Sequence, residues 1–511
     1  MAQHAMPAVP DDARLPDPAD PLDATPATSS SSRWAITRGT LFTLLAVFLP
    51  AAASLLAPVL TGDISYQVAT GQLMLERGAI VDADPFTFTV MGEPWVNQQW
   101  GASVAFALVY DATGWLGLLL MRALLIGVAF ALLFSACRAY GANRMVASLV
   151  TMIAFVVAAT NLALRSQMFG VVSFAAVLAI LAWRHKHPRL LWLIPLIMVL
   201  WANTHGSFFV GWLAIGLAVL EDLVARRRLA LVTTTVGVLS VVATLLHPWG
   251  LEMWRYVVEL SSNPLISALV TEWQAPTLRT PTGIFFFVSI ALVLALLIAR
   301  GRVLSWLQLA WLGGLVLLGL MAVRNVVWWA IGSAPYVAML VGGLRVRGRR
   351  LDDPALDAPR GVGYTAIAGA AVVLALVALP IWRPIDPVYG PEGVVRYAPR
   401  GVTEALAAEA VPGERLFAEQ KWGSWFEQAL PGVPVMVDTR IELFDEQVWG
   451  DYLHVQSGRA DWAEILDRWE VSLVAILADN EQLRPFLDAD PRWQLRFADE
   501  EGAVYRRLTE G

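Results

Sequence analysis

The sequence predicts a polytopic α-helical membrane protein with about 11 transmembrane helices, followed by an α/β domain. The composition is 57% hydrophobic and only 16% charged, with a mean hydropathy of +0.56. A soluble protein could not bury that much apolar surface. Apolar stretches of ~17 to 22 residues recur along the chain, and each is long enough to cross a hydrocarbon layer of ~30 Å. They lack the alternating pattern of membrane strands, so helices must satisfy their backbone groups.

Residues 1–33 are rich in Pro, Ala, Asp and Ser and show no periodic apolar pattern. Such a segment cannot bury enough surface to offset the entropy of ordering, and it predicts a disordered cytoplasmic tail. The apolar segment from Gly39 to Leu60 follows two arginines and could pass for a signal peptide, because small residues occur at 51–53. Its length and the long tail before it favour a retained first span.

The membrane domain, residues 34–382, contains ten further predicted spans, near residues 115–136, 145–163, 166–183, 190–204, 207–224, 229–246, 283–299, 303–323, 326–343 and 362–382. Arginine-rich segments fall in alternate short loops, and the positive-inside bias makes those loops cytoplasmic. Residues 61–114, 247–282 and 383–511 then lie outside. The apolar stretch 99–112 could be a further span, a re-entrant segment or an interfacial helix. We favour an interfacial helix, because another crossing would invert the charge pattern.

Residues 383–511 have the composition of a soluble domain. Strand-like runs at 415–418, 433–437, 472–477 and 503–505 alternate with helical stretches at 422–429, 460–468 and 481–487. This order predicts a small α/β layer. Asp438, Arg440 and Glu442 alternate as they would on one face of a strand end. They could form a buried ion network or recognise an acceptor, and we favour the ion network.

Charged residues at the outer ends of the apolar spans are the main functional candidates. They are the arginines Arg165, Arg279 and Arg324, near Asp63, His205 and Glu272. A guanidinium group offers permanent charge and planar donors to phosphate oxygens, so the cluster suits an anionic lipid phosphate. The chain has only two lysines, Lys186 and Lys421, so position is more informative than the choice of arginine. Snorkelling to the interface would explain any one of these arginines alone.

Asp63 is the candidate catalytic base, at the start of the first outer loop. It could take the proton of an acceptor hydroxyl as that hydroxyl attacks the anomeric carbon of a lipid-linked sugar. It could instead cap a helix that begins near Ser65 or Tyr66. Asp84 precedes Pro85 and is either a turn residue or a substrate contact.

The remaining candidates also have structural alternatives. Asn203 and His205 interrupt two apolar runs, either as helix-packing residues or as substrate contacts. Glu272 is either a solvated loop residue or a contact to a metal ion or an acceptor. The six histidines show no paired zinc-ligand spacing, and the short basic loops do not predict nucleic-acid binding.

Five motifs are spread from about residue 39 to the end of the chain: Gly62-Asp63 followed by Ala69-Thr70-Gly71-Gln72, Asp84-Pro85-Phe86-Thr87, Pro94-Trp95-Val96-Asn97-Gln98-Gln99-Trp100, Trp201-Ala202-Asn203-Thr204-His205-Gly206, and Val437-Asp438-Thr439-Arg440-Ile441-Glu442-Leu443. In these motifs the chain resembles bacterial type-C (GT-C) integral-membrane glycosyltransferases, in particular an uncharacterised subgroup. The resemblance implies transfer of a sugar from a polyprenyl-phosphate-linked donor to an extracytoplasmic lipid, glycan or protein acceptor. It also implies a location in the bacterial plasma (inner) membrane, and the positive-inside bias of the loops places the N-terminus on the cytoplasmic side.

Only the carboxylate early in the first loop is carried over from the resemblance, onto Asp63. The expected substrate-binding residues are Asp84, Trp100, Arg165, Asn203, His205, Glu272, Arg279 and Arg324. Some relatives have paired acidic residues and a divalent metal ion, Mg²⁺ or Mn²⁺. Here Gly62 precedes Asp63, which leaves metal dependence open.

Two other functions remain as alternatives to sugar transfer of this kind. One is a polysaccharide ligase or polymerase that uses lipid-linked glycans. The other is a polytopic transporter, which would usually show two matching halves, and the sequence shows no such repeat.

Overall fold

The computed structural model of the protein describes residues 34–508, except 265, 267–269 and 347. The predicted tail 1–33 lies outside the described residues. Up to residue 377 the chain is mainly helical, and its helices are α1 Arg38–Leu56, α2 Asp63–Arg77, α3 Trp100–Ala139, α4 Arg144–Ala158, α5 Gln167–Trp183, α6 Ile194–Thr204, α7 Phe209–Val224, α8 Ala230–Ala243, α9 Leu251–Ser262, α10 Pro281–Arg300, α11 Trp306–Met321, α12 Val326–Gly342 and α13 Val362–Val377.

Several of these helical segments are long and apolar enough to cross a membrane. Within the described residues there are six: Arg38–Leu56, Trp100–Ala139, Arg144–Asn161, Gly206–Val224, Pro281–Val303 and Val323–Gly342. Shorter apolar helices in the same part of the chain are Gln167–Trp183, Pro188–Thr204, Ala230–Ala243, Trp306–Met321 and Val362–Val377. The protein is therefore mostly helical, with helices suited to a multi-pass membrane protein. The number of crossings and their direction remain predictions.

Local sequence signals explain where several helices begin and end. The side chain of Asn143 accepts a hydrogen bond from the Val146 amide and caps α4. Ser305 and Gln308 form a reciprocal capping box at the start of α11. Gly78 adopts the left-handed conformation that ends α2.

The apolar stretch 99–112 is the first part of the long helix α3. The helix is interrupted at Gly114, whose φ of 62° and ψ of −153° are readily accessible only to glycine. Before this break α3 lies tightly against α2, because a Cβ atom at Gly71 would be 2.1 Å from the carbonyl oxygen of Ser103. The close approach holds α2, and with it Asp63, against α3.

Short strand pairs join several loops, and a larger sheet forms in the C-terminal part. The short pairs are β1 (Ile36–Thr37) with β4 (Arg360–Gly361), β2 (Arg345–Val346) with β3 (Arg349–Arg350), and β5 (Ile385–Asp386) with β6 (Gly390–Pro391). The larger sheet has the order β7 (Arg415–Ala418), β8 (Val471–Leu477), β10 (Gly502–Arg507), β9 (Trp493–Ala498). Strands β7 and β8 are parallel and the other pairs are antiparallel, with Val504 opposite Ala475.

Helices cover this sheet and complete an α/β layer. They are α14 Arg400–Glu409, α15 Gln420–Ala429, α16 Glu446–Gln456, α17 Trp462–Arg468 and α18 Arg484–Ala489. The run 433–437, predicted as a strand, makes only isolated bridges at Val435, and β9 was not predicted.

Backbone hydrogen bonds join the first long loop to the C-terminal part. Val435 pairs with Thr87 of the loop on one side and with Leu416 of β7 on the other. A second bridge joins Val59, just before α2, to Val395. The chain is therefore held to the C-terminal part on both sides of α2.

Aromatic side chains continue the hydrophobic core from one part into the other. The ring of Trp115 in α3 lies 6.5 Å from that of Tyr397 and 6.4 Å from that of Trp425, measured between centroids. All three residues are buried in one cluster with the apolar faces of the membrane helices. Aromatic contacts at these distances are favourable and fix the two parts in one arrangement.

Candidate functional site

A cavity of about 870 Å³ lies between the helical part and the C-terminal part. Its helical side comes from the start of α2, the segment before α3 and several breaks between apolar helices. The polar residues on that side are Asp63, Tyr66, Gln67, Gln98, Gln99, Arg165, Ser166, His205, Glu272 and Arg324. The C-terminal side contributes Arg396, Tyr397, Lys421, Thr439, Arg440 and Glu442. Residues far apart in the sequence therefore share one chamber.

Arg165 is the centre of the charged cluster in this cavity. It lies in the short loop before α5 and is 8% exposed. Its Nη1 donates to Glu272 Oε2 at 2.7 Å and lies 3.5 Å from Asp63 Oδ2. Its Nη2 donates to Gln167 Oε1 at 2.8 Å. One guanidinium group thus holds two predicted site carboxylates, from α2 and from the short 3-10 helix Thr271–Trp273, in one place.

The two carboxylates have different electrostatic environments. Burial raises the pKa of Asp63 above its usual value, and the charge of Glu272 adds to this, while Arg165 opposes it. Burial also acts on Glu272, but the charges of Arg165 and Arg324 outweigh it and lower the pKa of that carboxyl. Asp63 is therefore the carboxyl that gains a proton more readily, as a general base must.

Asp63 is the first residue of α2, and the preceding Gly62 occupies the N-cap position. No side chain makes a capping hydrogen bond there. The carboxylate contacts Arg165 instead. Asp63 therefore makes no side-chain cap, but as an acidic residue in the first turn of α2 it stabilises the positive end of that helix, as the structural alternative expected.

Arg324 forms the second cationic group of the cavity. It lies in the turn before α12, and its guanidinium carbon is 4.3 Å from the centroid of the Trp273 ring. Among the described residues no carboxylate lies within salt-bridge distance of it. Trp273 follows Glu272 in the same short 3-10 helix, so this one turn supports both arginines.

His205 ends α6 and lines the cavity near Arg324. Its Nδ1 accepts a hydrogen bond from the Ser207 amide at 3.1 Å. Because that nitrogen is an acceptor, the neutral ring carries its proton on Nε2. His205 can therefore donate one hydrogen bond to a bound molecule.

Other predicted site residues lie outside the cavity lining. Trp100 Nε1 donates to Asn203 Oδ1 at 2.8 Å, and Asn203 Nδ2 donates to the carbonyl oxygens of Val199 and Leu246. These bonds use both amide hydrogens of Asn203 and tie the start of α3 to the end of α6. The geometry thus gives Trp100 and Asn203 a packing role. Arg279 is exposed in the loop before α10 and lies away from the cluster.

Asp84 is also placed away from the cavity, in a buried ion network. Its Oδ2 accepts from Thr87, and its Oδ1 lies 2.6 Å from Arg440 Nη2. Arg440 also donates to Asp438, and Glu427 is 3.6 Å away. Asp84 therefore holds the first loop to the C-terminal part, and the network favoured from the sequence extends to it. Glu442 is separate, since it accepts from Tyr256 and lines the cavity.

Sequence reasoning missed a group of uncharged polar residues beside Asp63. Tyr66, Gln67, Gln99 and Ser166 are all buried and hydrogen-bonded to one another. Two sequence features could have indicated this group, namely the helical spacing of Asp63 and Tyr66 and the position of Ser166 next to Arg165. No local feature indicates Gln99, which reaches Tyr66 and Ser166 only because the chain folds that way.

A second cavity of about 320 Å³ adjoins the first. The two share Gln98, His205, Leu260, Trp273 and Arg324 at their boundary. The remaining walls of the second cavity are mainly apolar and include Phe209, Val257, Leu318, Met321 and Trp328. A polar chamber and an apolar chamber thus meet at Arg324.

No protein-family model matches the sequence, and no curated protein matches it. Solved structures do resemble the protein. ArnT from Cupriavidus metallidurans, bound to undecaprenyl phosphate, matches with a TM-score of 0.53 and 14% identity, over 92% of this chain and 98% of that one. The oligosaccharyltransferase of Archaeoglobus fulgidus matches with a TM-score of 0.55 and 12% identity, over 85% of this chain and 70% of that one.

A mycobacterial arabinofuranosyltransferase, AftD, matches with a TM-score of 0.53 and 15% identity, over 91% of this chain and 40% of that one. All three are GT-C glycosyltransferases. The chain has the GT-C fold. At such low identity the likeness is one of architecture, and it confirms the fold expected from the sequence motifs.

Within this GT-C fold the charged cluster does not fit a divalent metal ion. The Arg165 guanidinium group already lies between the carboxylates of Asp63 and Glu272. Among the described residues, no group of three or more His, Cys, Asp or Glu side chains is arranged to hold a metal. Two carboxylates with a cation between them lack the oxygen-rich shell that Mg²⁺ or Mn²⁺ requires.

Proposed function

We propose that the protein is a membrane glycosyltransferase that transfers a sugar from a polyprenyl-phosphate-linked donor to an extracytoplasmic acceptor. The observation that carries the proposal is the meeting of Asp63, Arg165 and Arg324 in one polar cavity that adjoins an apolar one. The GT-C fold supports transfer over transport. A structure of ArnT contains undecaprenyl phosphate, and a structure of AglB, the oligosaccharyltransferase of Archaeoglobus fulgidus, contains a dolichol-phosphate.

The boundary between the two cavities suits the phosphate of the carrier. Arg324 brings a cation without a carboxylate partner to this boundary, and His205 adds a neutral donor. A phosphate there would gain charge-assisted hydrogen bonds in a site shielded from water. The first isoprene units would occupy the apolar cavity, where burial of their surface is favourable.

Asp63 is suited to activate the acceptor. The ionised carboxylate takes the proton of an acceptor hydroxyl, whose oxygen attacks the anomeric carbon. The bond between that carbon and the phosphate oxygen breaks, and the lipid phosphate leaves with the bonding electrons. Arg165 and Arg324 stabilise the charge on the leaving phosphate, and Arg165 also keeps Asp63 in position.

The proposal also includes a location and an orientation. The basic loops face the cytoplasm of a bacterial inner membrane, so the cavity and the C-terminal part face outward. The acceptor, whether lipid, glycan or protein, then reaches the cavity from the C-terminal side, which Arg396, Lys421 and Glu442 line.

Asp63→Asn tests the base. In purified protein reconstituted with a polyprenyl-phosphate sugar, we expect transfer to fall by about 10²- to 10⁴-fold, because the amide cannot take the proton. Asp82→Asn is the matched control, since Asp82 belongs to the same loop but is exposed and does not line the cavity. A wild-type rate in Asp63→Asn would overturn the assignment of the base. Absence of any donor turnover in the wild type would overturn the proposed activity.

The acceptor can be identified independently of a purified assay. Mass spectrometry of the lipid and glycan fractions of a deletion strain should reveal a species that lacks one sugar. Restoration of that sugar by the wild-type gene, but not by the Asp63→Asn gene, would link the species to this site.

A further inference from the structure

The hydroxyl group of Tyr66 is an unused hydrogen-bond donor at the cavity wall. Its oxygen accepts a hydrogen bond from Gln99 Nε2, and Gln67 Nε2 lies 3.5 Å from it. No described residue accepts its proton. The side chain is only 6% exposed, and it lines the main cavity. A buried hydroxyl of this kind normally finds an acceptor.

A chain of hydrogen bonds fixes the direction in which Tyr66 donates. The backbone amide of Ser166 can only donate, and it bonds to Gln67 Oε1 at 3.2 Å. The Gln67 Nε2 group must therefore point at Ser166 Oγ, at 3.3 Å. Ser166 in turn donates to Gln99 Oε1, which leaves the Gln99 Nε2 group to donate to Tyr66.

The result is that each partner of Tyr66 presents a donor to it. If the Gln99 amide were reversed, the hydroxyl proton of the buried Ser166 would lose its acceptor, which is unfavourable. The backbone amide of Ser166 thus sets the direction of every hydrogen bond in this series, and the Tyr66 proton is left to face the cavity.

The surroundings of Tyr66 keep this donor protonated and rigid. Burial raises the pKa of the phenol, and the charges of Asp63 and Glu442 add to this. The ring packs edge-on against Trp95 at 6.4 Å, and the Arg440 guanidinium carbon lies 5.6 Å from its centroid. Asp63 is three positions earlier on the same helix, so both side chains lie on one face of α2.

We propose that Tyr66 is a further substrate-binding residue, whose hydroxyl donates a hydrogen bond to a phosphate oxygen of the lipid carrier. This inference rests on the proposed function. A phosphate oxygen can only accept, so it matches a group held as a donor, whereas a sugar hydroxyl could meet either polarity. The loop that anchors the chain at Ser166 also carries Arg165, so one loop positions both a cation and, through Gln99, a neutral donor.

The test measures the affinity of protein in nanodiscs for undecaprenyl phosphate and for undecaprenol, which lacks the phosphate. Tyr66→Phe removes the hydroxyl but keeps the ring between Trp95 and Arg440. We expect about 10- to 100-fold weaker binding of undecaprenyl phosphate, the usual range for a lost hydrogen bond to a charged group, and unchanged binding of undecaprenol. Tyr452→Phe is the control, because Tyr452 does not line the cavity and its buried hydroxyl already accepts from the backbone amide of Gln420.

A second variant removes the same donor without changing Tyr66. In Gln99→Glu the carboxylate would accept the Tyr66 proton and turn it away from the cavity. Gln420→Glu adds the same charge to the wall of the main cavity, but Gln420 does not line the apolar cavity and its side chain bonds the carbonyl oxygen of Asp438, not Tyr66. We expect Gln99→Glu to weaken undecaprenyl phosphate binding several-fold more than Gln420→Glu does.

The outcomes separate the two proposals. If the wild type binds undecaprenyl phosphate and Tyr66→Phe binds it equally well, the role of Tyr66 is wrong while the proposed function stands. Equal effects of Gln99→Glu and Gln420→Glu would likewise overturn that role. A wild type that binds undecaprenyl phosphate no better than undecaprenol would overturn the proposed function itself.

Discussion

Replacing Arg440 with methionine should destabilise the protein strongly. The Arg440 side chain is fully buried, donates to Asp438, and lies 2.6 Å from Asp84. Its guanidinium carbon also lies 4.6 Å from the centroid of the Trp95 ring. Methionine would fill much of the volume but leave the carboxyl groups of Asp84, Asp438 and Glu427 buried without a cation. Breaking a buried ion pair by removing one partner costs about 3–5 kcal/mol.

That cost can be converted into a melting temperature. At about 2–4 °C per kcal/mol, the value for a cooperative unit of about 150–250 residues, the melting temperature should fall by about 6–20 °C. The assay is thermal unfolding of the purified protein in one detergent, followed by tryptophan fluorescence. The chain has 22 tryptophans, and two of them lie in the relevant region, Trp95 beside the network and Trp425 in the core that joins the two parts.

Arg492→Met is the matched control for this experiment. Arg492 also bonds two carboxylates, those of Asp490 and Asp467, but its side chain is 38% exposed. A solvent-exposed pair contributes at most about 1 kcal/mol, so the control should melt within a few degrees of the wild type. Equal shifts in the two variants would refute the reasoning that burial makes the Arg440 network important.

Three further predictions concern the cavity and the packing below it. Burial raises the pKa of Asp63, so this base, which must be ionised, is protonated at a higher pH than an exposed aspartate would be. As the pH falls, kcat/KM should therefore decrease along an acid limb that begins above pH ~4. A kcat/KM that stays constant on the acid side would contradict this. Arg324→Gln removes the cation over Trp273 and should weaken undecaprenyl phosphate binding about tenfold or more, with undecaprenol binding unchanged. An equal loss of affinity for both lipids would indicate a packing defect instead. Gly71→Ala places a methyl group 2.1 Å from the Ser103 carbonyl oxygen and should cost about 1–3 kcal/mol of stability, whereas Gly216→Ala, with open space around it, should be tolerated in the same melting assay.

The apolar helices could be predicted from the sequence because membrane burial leaves a local signal. Every predicted span corresponds to an apolar helix, since hydrophobicity over ~20 residues needs no tertiary information. The stretch 99–112 was harder, because its continuity with α3 depends on a single residue, Gly114, whose conformation is set by packing. The strand β9 was not predicted, although its residues alternate between apolar and polar from Trp493 to Phe497 as those of a strand do.

The site was harder to predict than the fold. Asp63, Arg165, Glu272 and Arg324 could be grouped because they share one predicted side of the membrane. Trp100 and Asn203 were predicted on that side too, yet they bond each other and do not line the cavity. Being on the same side of the membrane does not tell which residues lie close together. Asp84 could not be assigned from the sequence, because its partner Arg440 is 356 positions away.

The bridge between the first loop and the C-terminal part has a consequence for synthesis. Thr89 Oγ1 donates to the carbonyl oxygen of Met436, which is 347 positions later in the chain. The loop must therefore wait while all the intervening helices are made and inserted, with its pairing edge open. Nascent chains arrested before Met436 leave that edge without its partner, and such an edge is a template for aggregation.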